Sequence, residues 1–259
     1  MTVRLRERTS ALAHWSVRLS LVSVPVLIIA AIGHRSGLLA ATPTYAVMAL
    51  GFSLAALGVI AAIAAFEGIW RDGRKGLGQA IRGLLIGFLV LSLPIAGAWK
   101  LVTYPRLTDI STDIDNPPAY VFALADRPED SRPVVDPTPE EGDLQREAYP
   151  DIVPRHYPVG PGRVFDDASA IVAGRGWTLL GAKRPEEPDE TGRIEAMALS
   201  PIFGFRQAIV IRIEPDGEGT LVDMRATARN GDHDLGANAE RIRSFFVDLD
   251  ASLQGISEE

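Results

Sequence analysis

TYAVMALGFSLAALGVIAAIAAF, residues 44–66, runs for 23 positions without a charged side chain. A helix rises about 1.5 Å per residue, so this stretch is long enough to cross a hydrocarbon core of roughly 30 Å. Two further apolar stretches flank it. Gly83 to Trp99 is uncharged for 17 residues and is extended by Ile81 and Leu101. Leu19 to Gly33 is 15 residues long. Trp15, Ser16 and Val17 lengthen it if Arg18 snorkels to the headgroups. The predicted membrane part is therefore residues 1–102, with three helices at about 16–33, 44–66 and 81–101.

Charge divides along the same line. Residues 1–102 carry 10 Lys/Arg against 3 Asp/Glu, and residues 103–259 carry 16 against 30. An anchor is followed by an acidic, water-facing part. A net charge of −14 in that second part argues against nucleic acid as a partner and against flat adsorption to anionic lipid. The basic start (Arg4, Arg6, Arg8) and short apolar core of the first stretch also fit a signal peptide. Only Leu39-Ala40-Ala41 offers a cleavage site, and it is a poor one, so a retained helix is the favoured reading. Loop charges set the orientation. The tail is basic, the first loop holds Arg35 alone, and the second holds Arg71, Arg74 and Lys75 with Arg82 just beyond. That pattern predicts a multi-pass protein of the inner (cytoplasmic) membrane. Its N-terminus is cytoplasmic and its C-terminal domain periplasmic. The lipid bilayer is thus the expected partner of the three helices. Gly83 and Gly87 form a G-x-x-x-G spacing, read here as packing within the three-helix hairpin rather than as a dimer interface.

Residues 105–161 hold 11 of the 18 prolines. They read as a Pro/Asp-rich linker, over 103–160, partly packed on the domain that follows. Asp109 to Asp113 and Asn116 to Tyr120 look more structured than Arg127 to Glu147. From 161 the pattern becomes that of a compact α+β domain over 161–255. Val164, Phe165, Ala168, Ile171 and Val172 recur at helical spacing. Strands are predicted at 177–182, 193–199, 207–213 and 221–228. A last helix from about 235 to 253 carries the stripe Ile242, Phe245, Phe246, Leu249 and Leu253, with Asp234 as its cap. The expectation is an antiparallel four-stranded sheet with both helices on one face. About 95 residues suffice for one modest core.

The last strand and helix carry a signature. Asp223 to Gly231 reads DMRATARNG and Asp234 to Arg243 reads DLGANAERIR. Together they resemble the C-terminal pattern of the family called domain of unknown function 1499, roughly R-S-x-S-R-x-G then D-L-G-x-N-x-x-R-I. Ile202-Phe203-Gly204-Phe205 is similar to that family's F-G-F loop. Asp109 to Pro118 is similar to the D-I-S-T-D…P-P entry of its membrane-anchored bacterial members. The resemblance spans roughly residues 107–253 and is most specific in its last thirty. Ala226 and Ala228 stand where serine is usual. The family has no agreed activity, so the resemblance implies a fold and a location but no catalytic residue.

The candidate chemistry is sparse. Arg225, Arg229, Asp234, Asn238 and Arg241 cluster in sequence around one strand–loop–helix corner. Two arginines beside a helix N-terminus could hold an anion. Against that stands a structural reading, in which Asp234 caps the helix and an arginine fixes the loop. Asn230, Asp232, His233 and Asp234 lack the alternating ligands and closing glutamate of a calcium loop. No metal site or cofactor is expected. The chain has no cysteine, which removes disulfides, thiolate metal sites and thiol nucleophiles. Asp166 and Asp167 would repel a phosphate at the helix that Gly160-Pro161-Gly162 opens. Glu195 and Asp223 are expected on one sheet face with Arg212 and Arg225, as a cross-strand charge ladder. Phe203 and Phe205 either close the core or form an exposed docking patch.

The favoured reading is a membrane-tethered periplasmic domain without catalytic activity, binding an envelope protein or an apolar or lipid ligand. The alternative is an envelope enzyme with an uncharacterised Arg/Asp site at the last strand–helix corner.

Overall fold

The computed structural model describes residues 8–125, 131–133 and 135–254. It falls into two compact units, Met1–Trp99 and Lys100–Glu259. The first unit is made of helices α1 (Ala11–Arg35), α2 (Ala41–Asp72) and the larger part of α3 (Leu77–Thr103). All three are long and apolar enough to cross a membrane. Large apolar side chains such as Ile29, Ile32, Ile60, Leu85 and Leu89 point outward.

Small residues bring these helices together. Ser16, Ser20 and Ser23 of α1 are buried. Ser20 donates its hydroxyl to the Gly83 carbonyl of α3 at 2.8 Å. A Cβ on Gly83 would overlap Ser16, whose carbonyl carbon would lie 2.7 Å away. A Cβ on Gly58 of α2 would meet the Ser20 nitrogen at 3.0 Å and the Ser16 oxygen at 3.1 Å. Gly83 is therefore used inside the hairpin. Between apolar helices in lipid, such close backbone approach supplies the packing that water exclusion cannot. The serine seam is absent from the sequence reading because serine in a helix carries no periodic signal of its own.

The second unit is an antiparallel sheet with helices. Its elements are β1 (Asp109–Ser111), α4 (Pro139–Ala148), β2 (Arg155–Tyr157), α5 (Pro161–Gly174), β3 (Thr178–Lys183), β4 (Gly192–Leu199), β5 (Arg206–Asp216), β6 (Gly219–Ala228) and α6 (Ala237–Gln254). The sheet has six strands, not the expected four. Its order is β1-β6-β5-β4-β3, with β2 also paired to β6. The two extra strands are three residues each, too short for an alternating pattern to register. β1 pairs along Arg225–Thr227 and β2 along Thr220–Val222. A third helix, α4, also lies in the stretch read as irregular. Thr138 and Glu141 form a capping box around it, and proline occupies its first turn. That start signal is visible in the sequence.

Alternation puts two sets of side chains on two faces. Ile209, Ile211, Ile213, Val222, Met224 and Ile194 face α5 and α6 and form the main core with Val164, Phe165, Ile242, Phe245 and Leu249. Trp177 stacks on Phe245 with centroids 6.4 Å apart. The opposite face is covered too. Tyr120 and Ala123 pack there on Met197, Ala208 and Val210. The Pro/Asp-rich segment thus supplies a strap across the outer face of the sheet.

Candidate functional site

The outer face carries most of the buried charge. Glu195, Asp223 and Arg225 have essentially no exposed surface, and Arg212 is also buried. The expected ladder of Glu195, Arg212, Asp223 and Arg225 is present, and it lies beneath the strap. Asp223 receives Arg212 Nη2 at 2.8 Å and the Thr112 hydroxyl at 3.1 Å. Glu195 accepts the backbone N–H of Val121 at 2.7 Å and of Ala123 at 2.8 Å. Its carboxylate is a fastener for the strap.

Arg225 sits at the centre. Its Nε and Nη2 bond Asp109 at 3.0 Å each. Nη1 reaches Asp136 at 3.0 Å and the Pro118 carbonyl at 3.3 Å, and Nη2 reaches the Val135 carbonyl at 3.3 Å. The guanidinium lies 5.2 Å over the Tyr120 ring. A guanidinium has five N–H donors, and all five are used. Burial pushes the Asp109 carboxyl up, against the pull of Arg225. Burial also holds the Tyr120 hydroxyl well above its ordinary range. These partners were missed in the sequence. A buried arginine on a two-faced sheet demands a carboxylate from outside the strand, and the strap was the place to look.

The predicted corner therefore divides. Asp234, Asn238 and Arg241 come together at the start of α6, while Arg225 belongs to the strap network. Asp234 Oδ1 accepts Gly236 N–H at 2.9 Å, and Oδ2 accepts Asn238 N–H at 2.8 Å. This is the expected cap. It stabilises a tight turn in which Leu235 has φ +58° and Gly236 φ +75°. A Cβ on Gly236 would strike the Tyr104 ring, so glycine is required twice over, by conformation and by space. Burial raises the Asp234 carboxyl, partly offset by those two N–H groups. Asn238 Nδ2 donates to the Thr108 carbonyl at 3.0 Å. It ties the incoming chain to α6. Arg241 donates to Asn238 Oδ1 at 3.1 Å, forms no ion pair among the described residues, and is pushed by burial down to about 10. Arg229 is buried and bonds Ser131 at 3.4 Å.

Asp232, read as part of a polar turn, pairs with Arg106 and Arg132. Phe203 and Phe205 are half-buried, 6.2 Å apart, in the β4–β5 connection, and Ile202 beside them is exposed. Open grooves also lie elsewhere among the described residues. One of about 540 Å³ runs between Thr112–Asp115 and Tyr149–Pro154. Another, about 700 Å³, lies between β2 and the end of α6.

Comparison with known proteins agrees with the sequence signature. The family model described as protein of unknown function (DUF1499) matches residues 109–249, more than half of the chain. No curated protein matches. Among solved structures, CalU16 from Micromonospora echinospora is similar at 14% identity and a TM-score of 0.23. That likeness covers 40% of this chain and 78% of CalU16.

Proposed function

This chain belongs to the DUF1499 family of proteins of unknown function, and on that premise we propose that it is a membrane-tethered extracytoplasmic binding domain of the cell envelope. Its ligand is a lipid or an envelope protein. The observation that carries the reading is the shortness of the tether. Helix α3 ends at Thr103, and Leu107 already lies in the core of the soluble fold. From Thr103 to Leu107 is four residue steps, which reach at most about 14 Å, and so short a connection supports a fold that works near a bilayer surface. The loop arginines support an N-terminus inside and the soluble unit outside.

The wiring of Arg225, Asp234 and Asn238 supports structural roles for these residues. Native mass spectrometry of the full chain, released from detergent or lipid nanodiscs, tests the reading. A retained phospholipid or a stoichiometric protein partner is the expected result. Repeated recovery of the bare chain under gentle release would count against it. A second reading rests on Arg241, whose guanidinium is held beside the start of α6 without an ion pair among the described residues. That geometry favours an anionic group there. If Arg241→Ala abolishes function while leaving the melting temperature unchanged, the corner is a site.

A further inference from the structure

We propose that the β4–β5 loop, Pro201-Ile202-Phe203-Gly204-Phe205, is a bilayer-contact element that enters the boundary between headgroups and acyl chains. This rests on the membrane-tethered reading above and names the lipid surface itself as the partner.

Strand register carries the argument. The Thr108 carbonyl accepts Ala228 N–H at 2.8 Å, and Arg206 carbonyl accepts Arg229 N–H at 3.0 Å. Ala228 pairs with Gln207, and Leu199 pairs with Arg206. Thr108, Ala228, Gln207 and Ala198 thus form one row across a single end of the sheet, with Arg206 and Leu199 paired one residue beyond it. Adjacent strands lie about 4.8 Å apart, so the row spans roughly 14 Å from the incoming chain to the start of the loop. The end of the sheet that receives the chain from α3 is therefore the end from which this loop projects. Three residues, Tyr104 to Arg106, separate α3 from buried Leu107.

The loop is built to present apolar surface. Ser200 N–H bonds the Phe205 carbonyl at 2.9 Å, and the Ser200 hydroxyl accepts Phe205 N–H at 2.9 Å. Gly204 turns the chain at φ +73°. Around this frame Ile202 is 48% exposed and Leu199 42%. Arg106 and Arg132 belong to the same end, in a unit that is otherwise strongly acidic, and both pair with Asp232. Their chemistry suits lipid phosphates. The opposite end is the β5–β6 hairpin, whose turn pairs Asp216 with Gly219 and carries Glu218. Eleven residues of β5 place that tip roughly 34 Å away.

The test uses the full chain, which contains no cysteine, so single thiols can be introduced without other changes. Ile202→Cys and Glu218→Cys are each labelled with an environment-sensitive fluorophore and reconstituted in phospholipid vesicles, with and without brominated acyl chains. Quenching of the label at 202 by brominated lipid, with protection from aqueous iodide, is expected; the label at 218 should show the reverse. Leu199→Cys should follow 202, which covers the case of one misfolded variant. A label at 202 that iodide quenches lies in water, and one that neither agent quenches lies inside the protein; each result overturns the proposal. Bromine is present in both leaflets and iodide is loaded on both sides of the vesicle wall, so this outcome does not depend on which side of the membrane the soluble unit occupies. A wrong orientation and a wrong contact are thereby told apart.

Discussion

Arg225 should be the most stability-critical polar residue of the soluble unit. Replacing it with methionine leaves the Asp109 carboxylate, 12% exposed, without its two bonds. Truncating one partner of a buried ion pair costs about 3–5 kcal/mol, because the other charge is left desolvated and uncompensated. The second partner, Asp136, is 82% exposed and loses little. For a fold of this size each kcal/mol lowers the melting temperature by about 2–4 °C. The expected drop is therefore roughly 6–20 °C. Arg225→Lys should recover only part of this, since an ammonium cannot grip both Asp109 oxygens and three further acceptors at once. The double variant Arg225→Met with Asp109→Leu should recover much of the loss, because no buried charge then stands alone. The assay is thermal proteolysis of the full chain in mild detergent, following cleavage of the soluble unit. A melting temperature for Arg225→Met within about 2 °C of the parent, less than 1 kcal/mol, would refute the reasoning. It would mean that the guanidinium is dispensable to the fold and free for another task.

Three further outcomes follow from named contacts. Glu195→Gln replaces one of two acceptors with a donor facing a buried N–H. It should cost about 1–3 kcal/mol and speed amide exchange at Val121 or Ala123, measured by hydrogen-exchange mass spectrometry; unchanged protection there would remove the strap-fastening role. Gly83→Val forces α3 away from Ser16 and should loosen the helix hairpin, seen as faster proteolysis within the first unit in detergent, whereas unaltered resistance would contradict the serine–glycine seam. Asp151 lies below the ordinary carboxylate range because of its bonds to Arg243. A lowered folded value means stability that is present above the unfolded value of 3.8 and lost as pH falls through the folded one. The pair is half-exposed, so Asp151→Asn should cost at most about 1 kcal/mol at pH 7. That gap should close on acidification below about pH 4, and a gap independent of pH would contradict the assignment.

Much of the architecture was legible because burial leaves periodic traces. The three apolar windows became α1 to α3, and alternation at Ile209, Ile211 and Ile213 marked the inner face of β5. What escaped detection lacked a period. β1 and β2 are three residues each and are defined only by partners on β6, more than sixty residues away in sequence. The outer face was only partly legible, for a different reason. Asp223, Arg225 and Thr227 alternate with apolar neighbours as a solvent-facing set would, yet the strap buries them. Charge alone cannot tell solvent from a buried partner, and here Asp109 lies 116 positions from Arg225. The corner was legible in part. Asp234 serves as the cap its position suggested. Nearness in sequence could not reveal that Arg225 belongs to the strap network and Asp234 to the α6 turn.

The account stands most directly on the soluble unit lying outside the cytoplasm at the membrane surface. Glu218→Cys, at the hairpin tip, can be probed with a membrane-impermeant maleimide in sealed right-side-out membrane vesicles. The account predicts full labelling before the vesicles are opened. Labelling that appears only after permeabilisation would contradict it.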